Sequence, residues 1–258
     1  MTGGGFQMLC FKAWRESRAR FLISAGTIAV LCILVIVFNV QIRQNPLGNP
    51  AHGHLPSYNE HIYQFVYAGT AKGIFEMLVL FLGLGGLLRE RRYGTAAFSL
   101  ALPVLRMQLS LTRIAVGLLE LIALCLLPLV LVPTLSLVMH EYYPVSVSLH
   151  FAALWMAGGG LIFSLSYLAS VSFAGEYTAL MVAFVVLFLI PLAAQVPAIQ
   201  PYEVNVLQTM GEFGSMHWNQ AHTVLLPPAM PWLRAMVFIG ISASLLTLSL
   251  QITGRRDF

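Results

Sequence analysis

The chain has 258 residues, of which 58% are hydrophobic and 9% charged, with a formal net charge of +4 and a mean hydropathy of +0.80. An ordinary soluble domain carries roughly 25% charged residues, so a soluble fold of this length could not cover its surface. Disorder is excluded too, because it needs low hydrophobicity and high charge. The composition is that of a polytopic, all-α membrane protein.

A bilayer core needs roughly 20 apolar residues per crossing helix. In chain order, residues 8–20 come first. At 100° per residue Cys10, Phe11, Ala13 and Trp14 share one side and Lys12, Arg15, Glu16 and Arg20 the other. That pattern predicts a short amphipathic helix on the inner leaflet, its basic face among membrane lipid headgroups. Six spans are then predicted, at about 21–40, 66–88, 109–139, 151–173, 178–199 and 232–253, within a single domain over 1–258. The first resembles a secretory h-region. Its run is long, however, and Val40-Gln41-Ile42-Arg43 offers no small-residue cleavage site, so it reads as an uncleaved anchor.

Span two carries Lys72 and Glu76, four residues apart on one helix face, and span three carries Arg113 and Glu120. Counting about 1.5 Å per residue puts both Glu76 and Glu120 near mid-membrane. An ionised group there costs about 2.5–3.5 kcal/mol on insertion scales, so each must face protein or water. Two readings stay open: contacts in a transport pathway, or a structural Lys72–Glu76 pair with Glu120 hydrogen-bonded between helices. Span five is broken by Pro191 and Pro197, and about 200–231 is too long for a turn. That segment is either a set of short helices re-entering the membrane or a plain outer loop.

Of fourteen basic residues, Lys12, Arg15, Arg18, Arg20, Arg89, Arg91, Arg92, Arg106, Arg113, Arg255 and Arg256 fall on one side when the N-terminus is inside. The positive-inside rule then makes both termini cytoplasmic, in the cell (inner) membrane. All seven histidines fall on the outer side. His52, His54 and His61 have no carboxylate or thiol cluster beside them and read as ordinary surface histidines, and Cys10, Cys32 and Cys125 match neither a zinc site nor a disulfide framework. No metal is expected.

Between spans two and three lies Arg89-Glu90-Arg91-Arg92-Tyr93-Gly94-Thr95, and then an apolar stretch with Phe98 that ends at Pro103. Thr95 can cap a two-turn helix that Pro103 stops. Topology accounts for the sign of the arginines but gives no reason for a capped helix. With Leu102-Pro103-Val104 and Arg106, this stretch resembles the permease subunits of type-2 ATP-binding cassette exporters. That family has an acidic residue, a Gly-Thr shortly after, and a Leu-hydrophobic-Pro-Val-Ser-Arg run; Leu105 stands here where the family has Ser. Lys12, Trp14, Arg15 and Glu16 likewise resemble the family's basic amphipathic first helix. The resemblance implies a half-transporter that pairs with a second permease subunit, identical or related. It also implies a coupling helix over about 90–102, seated in a separate ATPase subunit that holds ATP and Mg, and a segment after span five that helps close the outer end.

The chain itself has no Gly-x-x-x-x-Gly-Lys-Ser/Thr loop for phosphates, so it is not expected to be an enzyme or to bind a cofactor, and nothing points to nucleic acid. An ion-coupled secondary transporter, suggested by the buried charges, and a non-transporting assembly protein are the alternatives. An intramembrane serine hydrolase fits poorly, because Ser164 and Ser166 lie in a span and every histidine falls at the outer side.

Overall fold

A computed structural model of the chain describes residues 4–44, 57–84, 106–173, 175–197, 205–211, 217–218, 225–226 and 229–255. The expected coupling segment, with Arg89, Glu90, Arg91, Arg92, Gly94, Thr95, Phe98 and Pro103, lies outside the described residues, as do His52 and His54. The described chain is helical: α1 (Gly4–Gln44), α2 (Tyr58–Ile62), a π-helical turn (Tyr63–Tyr67), α3 (Thr70–Gly83), α4 (Arg106–Val138), α5 (Val145–Ser172), α6 (Glu176–Ala193), α7 (Val206–Gly211) and α8 (Trp232–Arg255). Two short strands, β1 (His217–Trp218) and β2 (Leu225–Leu226), pair antiparallel between α7 and α8.

Among the described residues, five stretches are long and apolar enough to cross a membrane: Gln7–Phe38, Tyr58–Gly83, Met107–Val138, Val145–Ser172 and Trp232–Arg255. The stretch predicted as the fifth span forms α6, which has 18 residues, ends at Ala193 and is shorter than these five, its apolar part running from Tyr177 to Ala193. The chain turns at Ala194 and Gln195, just before Pro197.

Two sequence expectations are corrected. Residues 8–20 do not form a separate helix; they open α1, a continuous run of 41 residues. Arg18-Ala19-Arg20-Phe21-Leu22 contains no glycine, proline or capping residue to break it. Phe11 and Trp14 are exposed while Ala13 is buried, and the side carrying Glu16 and Ser17 turns toward α4.

The second correction concerns the span predicted over 66–88. Helix begins earlier, at Tyr58, where the Ser57 hydroxyl accepts the Glu60 amide at 3.2 Å. It is then interrupted. Ala68 N–H donates to Tyr63 O at 2.9 Å, closing the π turn, and α3 restarts when Gly73 N–H reaches Gly69 O at 3.0 Å. A Cβ on Gly69 would collide with the Gln64 carbonyl oxygen, so the interruption requires glycine there.

Helix α5 is the hub. It packs against α3, α4, α6, α7 and α8, and 72% of its apolar window is buried, against 22% for α1 and for α8. Small residues explain this. In a lipid environment close helix packing depends on them, and Ala152, Ala157, Gly158, Gly159, Ser164, Ser166 and Ala169 of α5 are all buried. A Cβ on Gly159 would lie 3.0 Å from Leu121 of α4 and 3.2 Å from Phe75 of α3. The outer helices bury one ridge each: Ser24, Ile28, Cys32 and Ile36 on α1, and Ala179, Ala183 and Leu187 on α6. Leu22, Ile33, Phe38, Met181, Val185 and Phe188 point away from the bundle, the surface expected of helices bathed in lipid.

Pro128 and Pro133 sit inside α4. Each removes one backbone donor, which helices in a bilayer tolerate when side chains and neighbours compensate. Around Pro133 the hydroxyls bond to other carbonyls than those the prolines free, Thr134 Oγ1 donating to Val130 O at 2.7 Å and Ser136 Oγ to Val132 O at 2.6 Å.

Candidate functional site

Two buried polar clusters flank the hub. The first joins α3 to α7. Lys72 Nζ and Glu76 Oε1 are 3.4 Å apart, with both side chains 8% exposed. The i,i+4 spacing that puts them on one face also leaves the ammonium free to turn toward α7, where it donates to Leu207 O at 2.7 Å. Tyr63, from the π turn, donates its hydroxyl hydrogen to Gly211 O at 3.0 Å. Short α7 thus has a carbonyl of its first turn and that of its last residue bonded by side chains from α3 and the π turn, and the last is one that a helix end buried in protein must satisfy. At its other end Asn205 caps it, its side-chain oxygen accepting the Gln208 amide at 3.2 Å.

Glycine makes room for this docking. Val206 and Met210 occupy the place a Cβ on Gly158 would need, and a Cβ on Gly211 would lie 3.3 Å from Lys72 Nζ. Gly158 is midway along α5, so α7 reaches halfway down the hub helix.

The second cluster joins α1 to α4. Arg113 Nη2 is 3.1 Å from Glu16 Oε2, with the arginine side chain 7% and the glutamate 41% exposed. Lys12 lies 3.8 Å from the same carboxylate. Two turns further along α4, Glu120 accepts a hydrogen bond from Ser17 Oγ, while its second oxygen, Oε2, is buried without a hydrogen-bond partner. Tyr167 of α5 closes the cluster by donating to Ser110 O at 3.4 Å. Arg15 and Trp14 are exposed and take no part in these contacts.

Glu76 and Glu120 therefore do not converge. Phe75 and Leu121, their chain neighbours, meet across Gly159, so the two carboxylates stand close in height on the bundle. One faces α7, however, and the other α1. Ser17, Tyr63 and the Leu207 carbonyl were missed by sequence reasoning, and Arg113 was read only for topology. A signal for Arg113 existed: an arginine inside an apolar helix demands a carboxylate, and Glu16 was available. Nothing in the sequence marks a backbone carbonyl as the acceptor for Lys72.

If the hydrogen bond holds Glu120, then Ser17→Ala should cost about 1–3 kcal/mol, the cost of a buried acceptor left without its donor. Glu120→Gln should cost less, because the amide oxygen can accept the same hydrogen. Thermal unfolding of the two variants in detergent checks the order; Glu120→Gln falling below Ser17→Ala would show that the charge, not the hydrogen bond, matters.

Around the N-terminal half of α5, Tyr67 stacks on Phe151 with ring centroids 4.7 Å apart and Phe75 on Trp155 at 4.6 Å. Tyr67 also donates to Ser148 Oγ at 3.0 Å. In the α4–α5 connection, burial pushes the Tyr143 phenol well above its ordinary pKa, and the nearby Tyr67, Tyr58 and Tyr63 act in the same direction. Ser164 and Ser166 donate to the carbonyls of Leu161 (2.9 Å) and Leu80 (2.5 Å), so these hydroxyls serve helix packing. Among the described residues no group of three or more His, Cys, Asp or Glu side chains could hold a metal ion. The chain matches no family model, and no curated protein is significantly similar to it.

Proposed function

We propose that this chain is the membrane-spanning permease subunit of a type-2 ATP-binding cassette exporter, with six spans and both termini in the cytoplasm. The observation that carries the reading is the cytoplasmic Arg89–Arg106 segment, where Glu90 and Gly94-Thr95 precede a stretch closed by Pro103, in a chain with no phosphate-binding loop. Energy from ATP must then arrive through another subunit, with ATP and Mg bound there, and the Arg89–Arg106 segment is the connection that would receive it. A second permease, a copy or a relative, completes the pathway.

Two features of the bundle support the reading. Helix α6, 18 residues or about 27 Å long, approaches the ~30 Å of a bilayer core and serves as the fifth span. Helix α7 then folds back to the midpoint of α5, as a re-entrant segment closing the outer end would. The Lys72–Glu76 pair favours the runner-up, an ion-coupled transporter, because such charges inside a span mark many ion pathways.

Gly94→Val and Glu90→Lys should leave membrane insertion intact yet lower cargo-stimulated ATP hydrolysis by a co-expressed ATPase subunit at least tenfold. Gly94 would provide a sharp turn that a Cβ obstructs. The measurements are pull-down of the ATPase and its rate with and without cargo. Variants that bind, hydrolyse and transport normally would leave the arginines with a topological role alone. Transport driven by a pH gradient without any ATPase would favour the runner-up.

A further inference from the structure

Helices α1, α3 and α6 enclose a pocket of about 490 Å³, within the roughly 300–1,000 Å³ of small-molecule sites. Its lining is layered. Arg20, Leu84 and Tyr177 form one layer; Ile23, Phe81 and Leu180 line it one turn further along their helices, and Leu78 lies beyond them. In all three helices the sequence changes character at the first layer. Arg20 is the last charge of α1 before a run to Arg43, Tyr177 directly follows Glu176, and Leu84 precedes Arg89-Glu90-Arg91-Arg92 by five residues. A polarity change at one height on three helices marks the membrane–water boundary, where arginine and tyrosine anchor. The pocket therefore opens at headgroup level and runs along the hydrocarbon.

We propose that it binds an anionic phospholipid of that leaflet, one acyl chain lying against Ile23, Phe81 and Leu180 and the phosphate held by the Arg20 guanidinium. Charge decides the occupant. A second copy of this chain docked by the same face would bring its own Arg20 to the Arg20 already there, like charge against like. A free phosphate would leave the apolar walls uncovered. An anionic lipid satisfies both the cation and the walls. The site needs only the membrane location of these helices and stands apart from the exporter reading.

The full-length protein, in phosphatidylcholine nanodiscs, is irradiated with phosphatidylglycerol carrying a photoreactive diazirine in its acyl chain, or with the matching phosphatidylcholine probe. Adducts are then mapped by mass spectrometry. The glycerol lipid should label the peptides containing Phe81 and Leu180 roughly fivefold more than the choline lipid, the effect of one basic residue facing an anionic leaflet. Arg20→Gln should erase that preference, Arg20→Lys should restore it, and Leu180→Trp should suppress labelling by filling the pocket. Equal labelling by both lipids, or a preference that survives Arg20→Gln, overturns the proposal. So does a pocket that takes no label while Ile23→Cys copies cross-link to one another, since a second copy would then cover it.

Discussion

Lys72→Met should cost the folded protein about 3–5 kcal/mol, the usual consequence of removing one partner from a buried ion pair. Both side chains are 8% exposed, so water cannot take over the contact with Glu76, and Leu207 O loses the donor now 2.7 Å away. The double variant Lys72→Met with Glu76→Leu should recover most of the loss, because the uncompensated carboxylate is gone; what remains is the carbonyl's missing hydrogen bond, about 1 kcal/mol. Thermal unfolding of the single and double variants in detergent forms a double-mutant cycle. Simple addition of the two single losses would show that Lys72 and Glu76 do not act as a pair. A protease-accessibility assay on the segment around α7 adds a local readout, since α7 should loosen in both variants that lack the ammonium.

Gly83→Val and Gly117→Val should each destabilise the bundle by about 1–3 kcal/mol or more, the range for overpacking a well-filled core. Both glycines let a helix close on the same stretch of α5. A Cβ on Gly83 would lie 2.8 Å from the Phe163 carbonyl oxygen and 2.7 Å from Ser166 Cβ; one on Gly117 would press into the Phe163 ring, 2.7 Å from Cε2. The first obstacle is backbone and the second is a ring 2% exposed, so neither can swing aside. The Ser166–Leu80 hydrogen bond, 2.5 Å long, depends on the same approach. Gly240→Ala provides the contrast: nothing lies within 4 Å of that position, so it should be neutral or stabilise by up to about 1 kcal/mol through helix propensity. If all three variants unfold alike in detergent, close helix approach at Phe163 is not what holds α3 and α4 to the hub.

The sequence by itself determined the class of architecture, because a chain so poor in charge cannot be folded in water. Hydropathy located the helices for the same reason: a bilayer demands long apolar runs whatever their tertiary partners. The spacing of Lys72 and Glu76 made their pairing legible, since residues four apart on a helix are neighbours before any packing occurs.

Only the tertiary structure decided the rest. The break at Gly69 arises from a π turn, which hydropathy does not register. The side of α1 that turns toward α4 is not fixed by its amphipathic pattern, because that pattern sorts apolar from polar faces only against water. In lipid that preference vanishes, so Phe11 and Trp14 turn outward while Glu16 and Ser17 turn in to meet Arg113 and Glu120 of α4. The separation of Glu76 from Glu120 belongs to the same group: equal height along two helices says nothing about which way each carboxylate faces. Partners about one hundred residues apart, such as Glu16 and Arg113, are chosen by how helices rotate and dock, here α1 against α4.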